Sequence, residues 1–323
     1  MRVNPKRYIF YMTLITLTLI TLHISINICI AEFNLNYTPI MEMLKGNDFQ
    51  NVAIIQETEH KGRNKNILIL SYARSGSSFT GDLLSALPNT MYYFEPFKIL
   101  KLDGLQELQV QDYVCGLFNC TTSLQKRLKG NGYYGIRTRN VDCVNAETKV
   151  IKSIRLHKDG LEPWIYSSDI KVVHLVRDPR GMIKSMNSRS SDFKQTLKNV
   201  SQLCNTIQDD VSLKDGLGSR YIRIRYEDLV ENTETNLEQI YKFLELPYSD
   251  QVKKAVSKHN NPRVKSGNGF YGTVRESGFR TDSWKMGLHL KEIRIIEEQC
   301  SSIMEKLNYT IFNPELNSTD KKV

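Results

Sequence analysis

The sequence predicts an α/β fold: a mainly parallel central sheet flanked by helices, preceded by a single transmembrane helix. Three observations carry this. Short continuous apolar runs, such as Asn66–Tyr72 and Lys171–Val176, have the pattern of strands buried on both faces. Stretches with helical spacing alternate with them, which favours parallel pairing through helical crossovers. Ahead of both lies an uncharged stretch, Tyr8–Ala31, whose 24 residues suffice to cross a bilayer as a helix. A chain of 323 residues with 40% hydrophobic content can bury a sizeable core, which excludes a disulfide-stapled mini-protein and a wholly disordered chain. No fixed period recurs, which argues against a solenoid or propeller.

In chain order, residues 1–7 form a basic tail carrying Arg2, Lys6 and Arg7. Positive charge stays on the cytoplasmic side, so 8–31 reads as a signal anchor and the rest faces the lumen or exterior. A cleaved signal peptide stays open as the alternative, because Cys29 and Ala31 place small residues two apart before Glu32. Residues 32–65 are polar, end in the charged run Glu57–Lys65, and read as a stem. Residues 66–323 read as one lumenal domain. Its strands are expected at Asn66–Tyr72, Met91–Phe94, Lys149–Ile154, Lys171–Val176 and Tyr221–Arg225. Its helices are expected at Phe79–Leu87, capped by Ser77 or Ser78, and at Met182–Arg189, Asp192–Leu213, Thr233–Leu246 and Leu288–Leu307.

The net charge of +9 points to anionic partners, and all 35 acidic residues lie beyond Ala31 with 41 of the 44 basic ones. The basic excess therefore belongs mostly to the exported part, and nucleic acid is not expected as a partner. Sequons at Asn36, Asn119, Asn199, Asn308 and Asn317 agree with export. Five cysteines, Cys115, Cys120, Cys143, Cys204 and Cys300, follow the apolar segment; in an oxidising lumen some should pair, and an odd count leaves one over. No metal-ligand spacing occurs, so no metal is expected.

Two segments have the character of anion sites. In the first, Ala73, Arg74, Ser75, Gly76, Ser77, Ser78 and Phe79 lie between a buried strand and a helix. Free amides and the helix dipole converge there, Gly76 permits close backbone approach, and Arg74 adds a guanidinium fork. Gly76 and Gly81 have the spacing of a Walker loop, but Asp82 stands where that motif needs Lys. In the second, Arg177, Asp178, Pro179 and Arg180 leave a strand end and lead to Ser185 and Arg189, four apart on one helical face. A Ser/Gly turn and a surface Asp178–Arg180 salt bridge are the plain alternatives.

Taken together, the two motifs suit a nucleotide with phosphates at both ends of its ribose. In them the chain resembles the Golgi carbohydrate 6-O-sulfotransferases, over about Ile67 to Phe312. Ile151–Arg155, Arg225–Leu229, Gly272–Arg275 and Trp284–Lys285 extend the likeness. The resemblance implies a P-loop-like fold and 3′-phosphoadenosine 5′-phosphosulfate as donor, with its 5′-phosphosulfate at Arg74–Phe79 and its 3′-phosphate at Arg177–Arg180, Ser185 and Arg189. It also implies a glycan acceptor, the membrane as a partner, a type II Golgi location, and a structural Cys204–Cys300 disulfide. A homodimer is an open expectation.

Sulfuryl transfer needs in-line attack by a hydroxyl and stabilisation of the leaving phosphate oxygen. Arg74 and the Ser77 and Ser78 amides are the expected stabilisers. Glu95 is the expected base, on its place after a strand and on the resemblance, with an exposed loop carboxylate its plain reading; His174 is the second candidate, with a core histidine its plain reading. Lys152 and Arg155 either line the site or are strand-end charges. Phe270, Tyr271 and Trp284 either stack on ligand or pack in the core, and Arg275 and Arg280 either contact an anion or are solvated. Residues 98–148 and 260–285 are where acceptor choice is expected to reside. A nucleotide-sugar glycosyltransferase lacks support because Asp209 and Asp210 are adjacent, with no Asp-x-Asp. The rival from another class is a membrane-anchored glycan-binding protein of the same fold without catalysis.

Overall fold

A computed structural model describes residues 65–100, 107–129, 134–138, 140–162, 164–187, 197–259 and 281–314. The expected tail, anchor and stem up to residue 64 lie outside the described residues, as do Arg189, Phe270, Tyr271, Arg275 and Arg280. Among the described residues no helix is long and apolar enough to cross a membrane.

Six strands make one sheet in the order β3-β2-β4-β1-β5-β6. They are β1 (Lys65–Leu70), β2 (Thr90–Phe94), β3 (Gly135–Ile136), β4 (Thr148–Ser153), β5 (Lys171–Val176) and β6 (Tyr221–Arg225). Every pairing is parallel except β2 with the two-residue β3. The register puts Leu70 opposite both Ser153 and His174, and Phe94 opposite Lys152. The C-terminal ends of β2, β4, β1 and β5 therefore open on one edge of the sheet. From β1 the chain goes to β2 and β4 on one side, then crosses to β5 and β6 on the other. Such a reversal leaves a crevice beyond the strand ends, where open α/β sheets take ligands.

The connecting helices are α1 (Ser77–Leu84), α2 (Pro96–Leu100), α3 (Glu107–Phe118), α4 (Thr122–Lys129), α5 (Lys158–Leu161), α6 (Trp164–Ser167), α7 (Pro179–Asn187) and α8 (Val200–Leu217). After β6 come α9 (Tyr226–Glu231), α10 (Thr233–Leu244), α11 (Asp250–His259), α12 (Trp284–Gly287), α13 (Leu290–Gln299) and α14 (Ser301–Lys306). Alternating β1 residues Ile67 and Ile69 pack with Phe79 and Leu83 of α1 and with Leu237, Ile240 and Leu244 of α10 in one apolar cluster. A second cluster gathers Tyr72, Val176 and Met182 with Ile207 of α8 and Ile293, Ile296 and Ile303 near the C terminus. Burying such side chains contributes about 1.5–3 kcal/mol each.

Several expected boundaries move, each for a local reason. The first helix begins at Ser77 with Gly76 at its N-cap in a left-handed conformation (φ 91°), so the cap is the glycine and neither serine. The helix expected from Met182 begins at Pro179. Asp178 Oδ1 accepts the Arg180 amide at 2.9 Å, and proline suits a first helical position, where no amide is needed. The long helix expected at Leu288–Leu307 is two helices that meet at Cys300, which is disulfide-bonded to Cys204. The pairing implied by the resemblance is thus present. Cys120 pairs with Cys143, and Cys115 is disulfide-bonded too, so none of the five cysteines is left over.

Candidate active site

The first anion loop is shaped largely by its own backbone. Ser75 Oγ donates to the Tyr72 carbonyl at 2.8 Å and accepts the Tyr72 amide, closing the turn, while Ser71 Oγ ties the strand end to the Ser153 carbonyl of β4. Arg74 (φ 65°) and Gly76 both take positive φ, which turns the chain sharply into α1. A Cβ on Gly76 would lie 2.2 Å from the Tyr226 ring, so only glycine fits there. The Thr80 amide bonds the Gly76 carbonyl at 3.2 Å, so the Ser77 and Ser78 amides lie in the opening turn of the helix, ahead of its first i→i−4 bond. Ser75, Ser77 and Phe79 are buried, whereas Ala73, Arg74, Gly76 and Ser78 are half-buried.

The second motif meets the first directly. Arg177 Nη1 donates to the Arg74 carbonyl at 2.6 Å, and Arg74 Nε donates to Ser185 Oγ at 3.0 Å. Arg177 is 8% exposed, and its Nε is a buried donor with no hydrogen-bond partner among the described residues. A buried orphan N–H on a guanidinium costs free energy unless an acceptor arrives, and an anion would satisfy it. Gly181 keeps room for this group: a Cβ there would sit 3.2 Å from Arg177 Nε. Tyr226 stacks beneath the same guanidinium at 4.4 Å.

Asp178 and Arg180 have a different fate. Arg180 is 3% exposed and donates to Asp178, to Glu297 Oε1 at 2.6 Å and to the Thr310 carbonyl at 2.9 Å. The Trp284 ring lies 4.0 Å from its guanidinium, and Phe312 meets that ring edge-on. Arg180, Asp178 and Trp284 are therefore committed to each other inside the protein. The Asp178–Arg180 pair exists as the plain alternative held, but buried.

Glu95 follows β2 at φ 48° and is 2% exposed, so it is not a surface loop residue. Its amide bonds the Lys152 carbonyl at 3.0 Å, which extends the β2–β4 ladder by one residue. Oε1 accepts from Lys152 Nζ at 2.6 Å, and Oε2 accepts from the exposed Arg155 guanidinium. Burial pulls the Lys152 ammonium below the usual lysine range; Glu95 opposes that shift, and Arg155 and Arg137 reinforce it. Phe94 lies between Lys152 and Arg137, 4.4 and 3.9 Å from its ring centre. Lys152 and Arg155 thus converge on Glu95.

His174 is a core histidine. Its Nε2 faces the Tyr72 hydroxyl at 2.7 Å and its Nδ1 the Tyr221 hydroxyl at 2.5 Å. Tyr72 donates onward to Asp210, so the network assigns His174 as a neutral ring protonated at Nε2. Complete burial lowers its pKa to about 4.

Sequence reasoning missed Tyr226, Glu227 and Tyr309. Tyr226 packs on the first loop, Glu227 accepts the Asp178 amide at 3.1 Å, and Tyr309 donates to Glu227 at 2.9 Å. Tyr226 and Glu227 lie in the Arg225–Leu229 segment, noticed without a role, and Tyr309 carried no signal of its own.

Comparisons with known proteins agree with this geometry. Residues 64–307 match the family described as Sulfotransferase domain. Carbohydrate sulfotransferase 1 of Rattus norvegicus is 27% identical over 223 residues, 62% of this chain and 50% of that protein. Carbohydrate sulfotransferase 3 of Tetronarce californica is 23% identical over 327 residues, 78% of this chain and 74% of that one. This chain spans about half the length of the rat relative. Among solved structures, mouse sulfotransferase SULT7A1 complexed with PAP superposes with a TM-score of 0.50 at 14% identity, covering 75% of this chain and 84% of its own, which is a likeness of fold. With the family matched across most of its length, the chain belongs to the sulfotransferase domain family and has carbohydrate sulfotransferases among its relatives.

Proposed function

We propose that this chain transfers a sulfuryl group from 3′-phosphoadenosine 5′-phosphosulfate to a sugar hydroxyl of a glycan, the 6-OH of N-acetylglucosamine, galactose or N-acetylgalactosamine. The observation that carries the reading is the joining of two anion loops at adjacent strand ends, with the buried Arg177 Nε left for an acceptor. The donor group fits that set. Arg177 and Ser185 would hold its 3′-phosphate, and Arg74 with the Ser77 and Ser78 amides its 5′-phosphate. When bound, the donor supplies an activated sulfuryl group on a phosphate leaving group.

The chain's own residues then have distinct tasks. Glu95 is the base that takes the acceptor proton at a carboxylate oxygen. Both of its oxygens are held by cations here, and one cation must be drawn toward an anion to free an oxygen for the proton. Lys152 is that mobile cation, because burial disfavours its charge and an anion beside it would restore the balance. Arg74 and the α1 amides stabilise charge on the departing oxygen. Asp178 and Arg180 shape the second loop from within. Residues 66–323 form the lumenal domain of a type II Golgi protein in this reading, supported by the basic flank before Tyr8–Ala31 and by disulfides suited to an oxidising compartment.

The test is binding of adenosine 3′,5′-bisphosphate against ADP to the full chain, followed by thermal shift. Preference for the bisphosphate that is lost in Arg177→Ala is the expected result. Preference for ADP would overturn the donor assignment. Bisphosphate binding without sulfuryl transfer to any of the three sugars would favour the non-catalytic glycan-binding reading.

A further inference from the structure

The short helix α9 touches both anion loops at once. Its first residue, Tyr226, is 2% exposed, fills the space over Gly76 and stacks under Arg177. Its second, Glu227, accepts the Asp178 amide through Oε1 at 3.1 Å, at the point where β5 turns into α7. Glu227 Oε2 is held in turn by the Tyr309 hydroxyl at 2.9 Å, and the Arg225 guanidinium lies 4.4 Å from the Tyr309 ring centre. Burial raises the Glu227 carboxyl above the usual range, while the Asp178 amide and Tyr309 hydroxyl pull it back. Tyr309 lies beyond residue 307, where the family match ends.

We propose that Glu227 and Tyr309 are positioning residues that hold the Arg177–Asp178 junction at a fixed spacing from the Arg74–Ser78 loop, so that one ligand can fill both anion sites. The proposal rests on the donor reading above. The physical argument is one of pre-organisation. The Asp178 amide follows Arg177 directly, and a carboxylate that pins this amide fixes where the Arg177 side chain leaves the sheet. A ligand bridging both loops gains from that fixed spacing, whereas a ligand filling only the first loop does not. Tyr309 keeps the carboxylate aimed, since a half-buried Glu227 with one oxygen unpartnered would turn elsewhere.

The experiment uses the full chain and two probes, adenosine 3′,5′-bisphosphate and adenosine 5′-phosphate, with binding measured by calorimetry. Tyr309→Phe deletes a single oxygen and is the primary variant; Glu227→Gln is the second. We expect either variant to lower affinity for the bisphosphate about tenfold, the scale of one hydrogen bond to a charged group, with less than about twofold change for the monophosphate. Equal losses for both probes, no loss for either, or failure of Tyr309→Phe to fold would each overturn the positioning role in favour of a purely structural one. If the unaltered chain shows no preference for the bisphosphate, the donor reading fails first; if it does and both variants keep that preference, only the present inference fails.

Discussion

The two anion loops are built in opposite ways. The Arg74–Ser78 loop is shaped by backbone: two positive-φ residues, a serine closing the turn on Tyr72, and a glycine cap opening α1. The Arg177–Ser185 loop is shaped by side chains from far along the chain, with Arg180 tied to Glu297 and Asp178 to Glu227. The first is thus sensitive to conformation and tolerant of distant change. The second is sensitive to the loss of any buried charge. Beneath both runs a common floor, the Tyr72–His174 hydrogen bond that links the two strand ends.

Four expected outcomes break or sharpen that contrast, in order of size. Arg180→Leu should cost the most, about 3–5 kcal/mol of stability in urea unfolding, because it leaves Asp178 and Glu297 buried beside an apolar side chain. A loss under about 1 kcal/mol would show that the second loop does not depend on its charges. Acidification tests the shared floor. His174 has its pKa lowered from 6.5 to about 4, so the unfolded chain binds the extra proton first as pH falls. Stability attributable to this group is fully present above pH 6.5 and is lost as pH drops towards about 4, by about 3 kcal/mol. His174→Gln should flatten that limb of a stability–pH curve; an unchanged slope would remove His174 from the account.

Gly76→Ala should destabilise by about 2–3 kcal/mol, from positive φ and a clash with the Tyr226 ring. The double variant with Tyr226→Ala should recover the steric part and keep the conformational one; full recovery would show that φ at Gly76 is immaterial. Ser75→Ala should cost about 1 kcal/mol through the Tyr72 turn, the smallest of the four. An effect as large as that of Arg180→Leu would mean the first loop also rests on side chains.

Much of the fold was legible in advance because strands buried on both faces write themselves as continuous apolar runs. All of the expected strands are present, each within two residues of its expected bounds, and the short β3, with only two residues, carried no pattern to read. Helix starts were less legible. Ser77 and Ser78 are good capping residues by composition, but a glycine in the left-handed region took the cap because the loop must turn under Tyr226. The expected site residues that are described gather at the strand ends; Arg189 lies outside them.

By itself, the sequence determined the strand–loop–helix units and the residue types at their junctions, because period, glycine placement and cap chemistry act over a few neighbours. Tertiary structure alone decided which of those residues keep an unpartnered donor and which are spent inside. Arg177 and Arg180 stand three apart and look equivalent, yet one keeps a free buried N–H and the other is consumed by Asp178, Glu297 and Thr310. Glu95 reads as a loop carboxylate until β4 sets Lys152 against it. Apart from Asp178, the partners in those outcomes stand 57 to 130 residues away and are brought together by packing, and no local pattern encodes a partner at that distance.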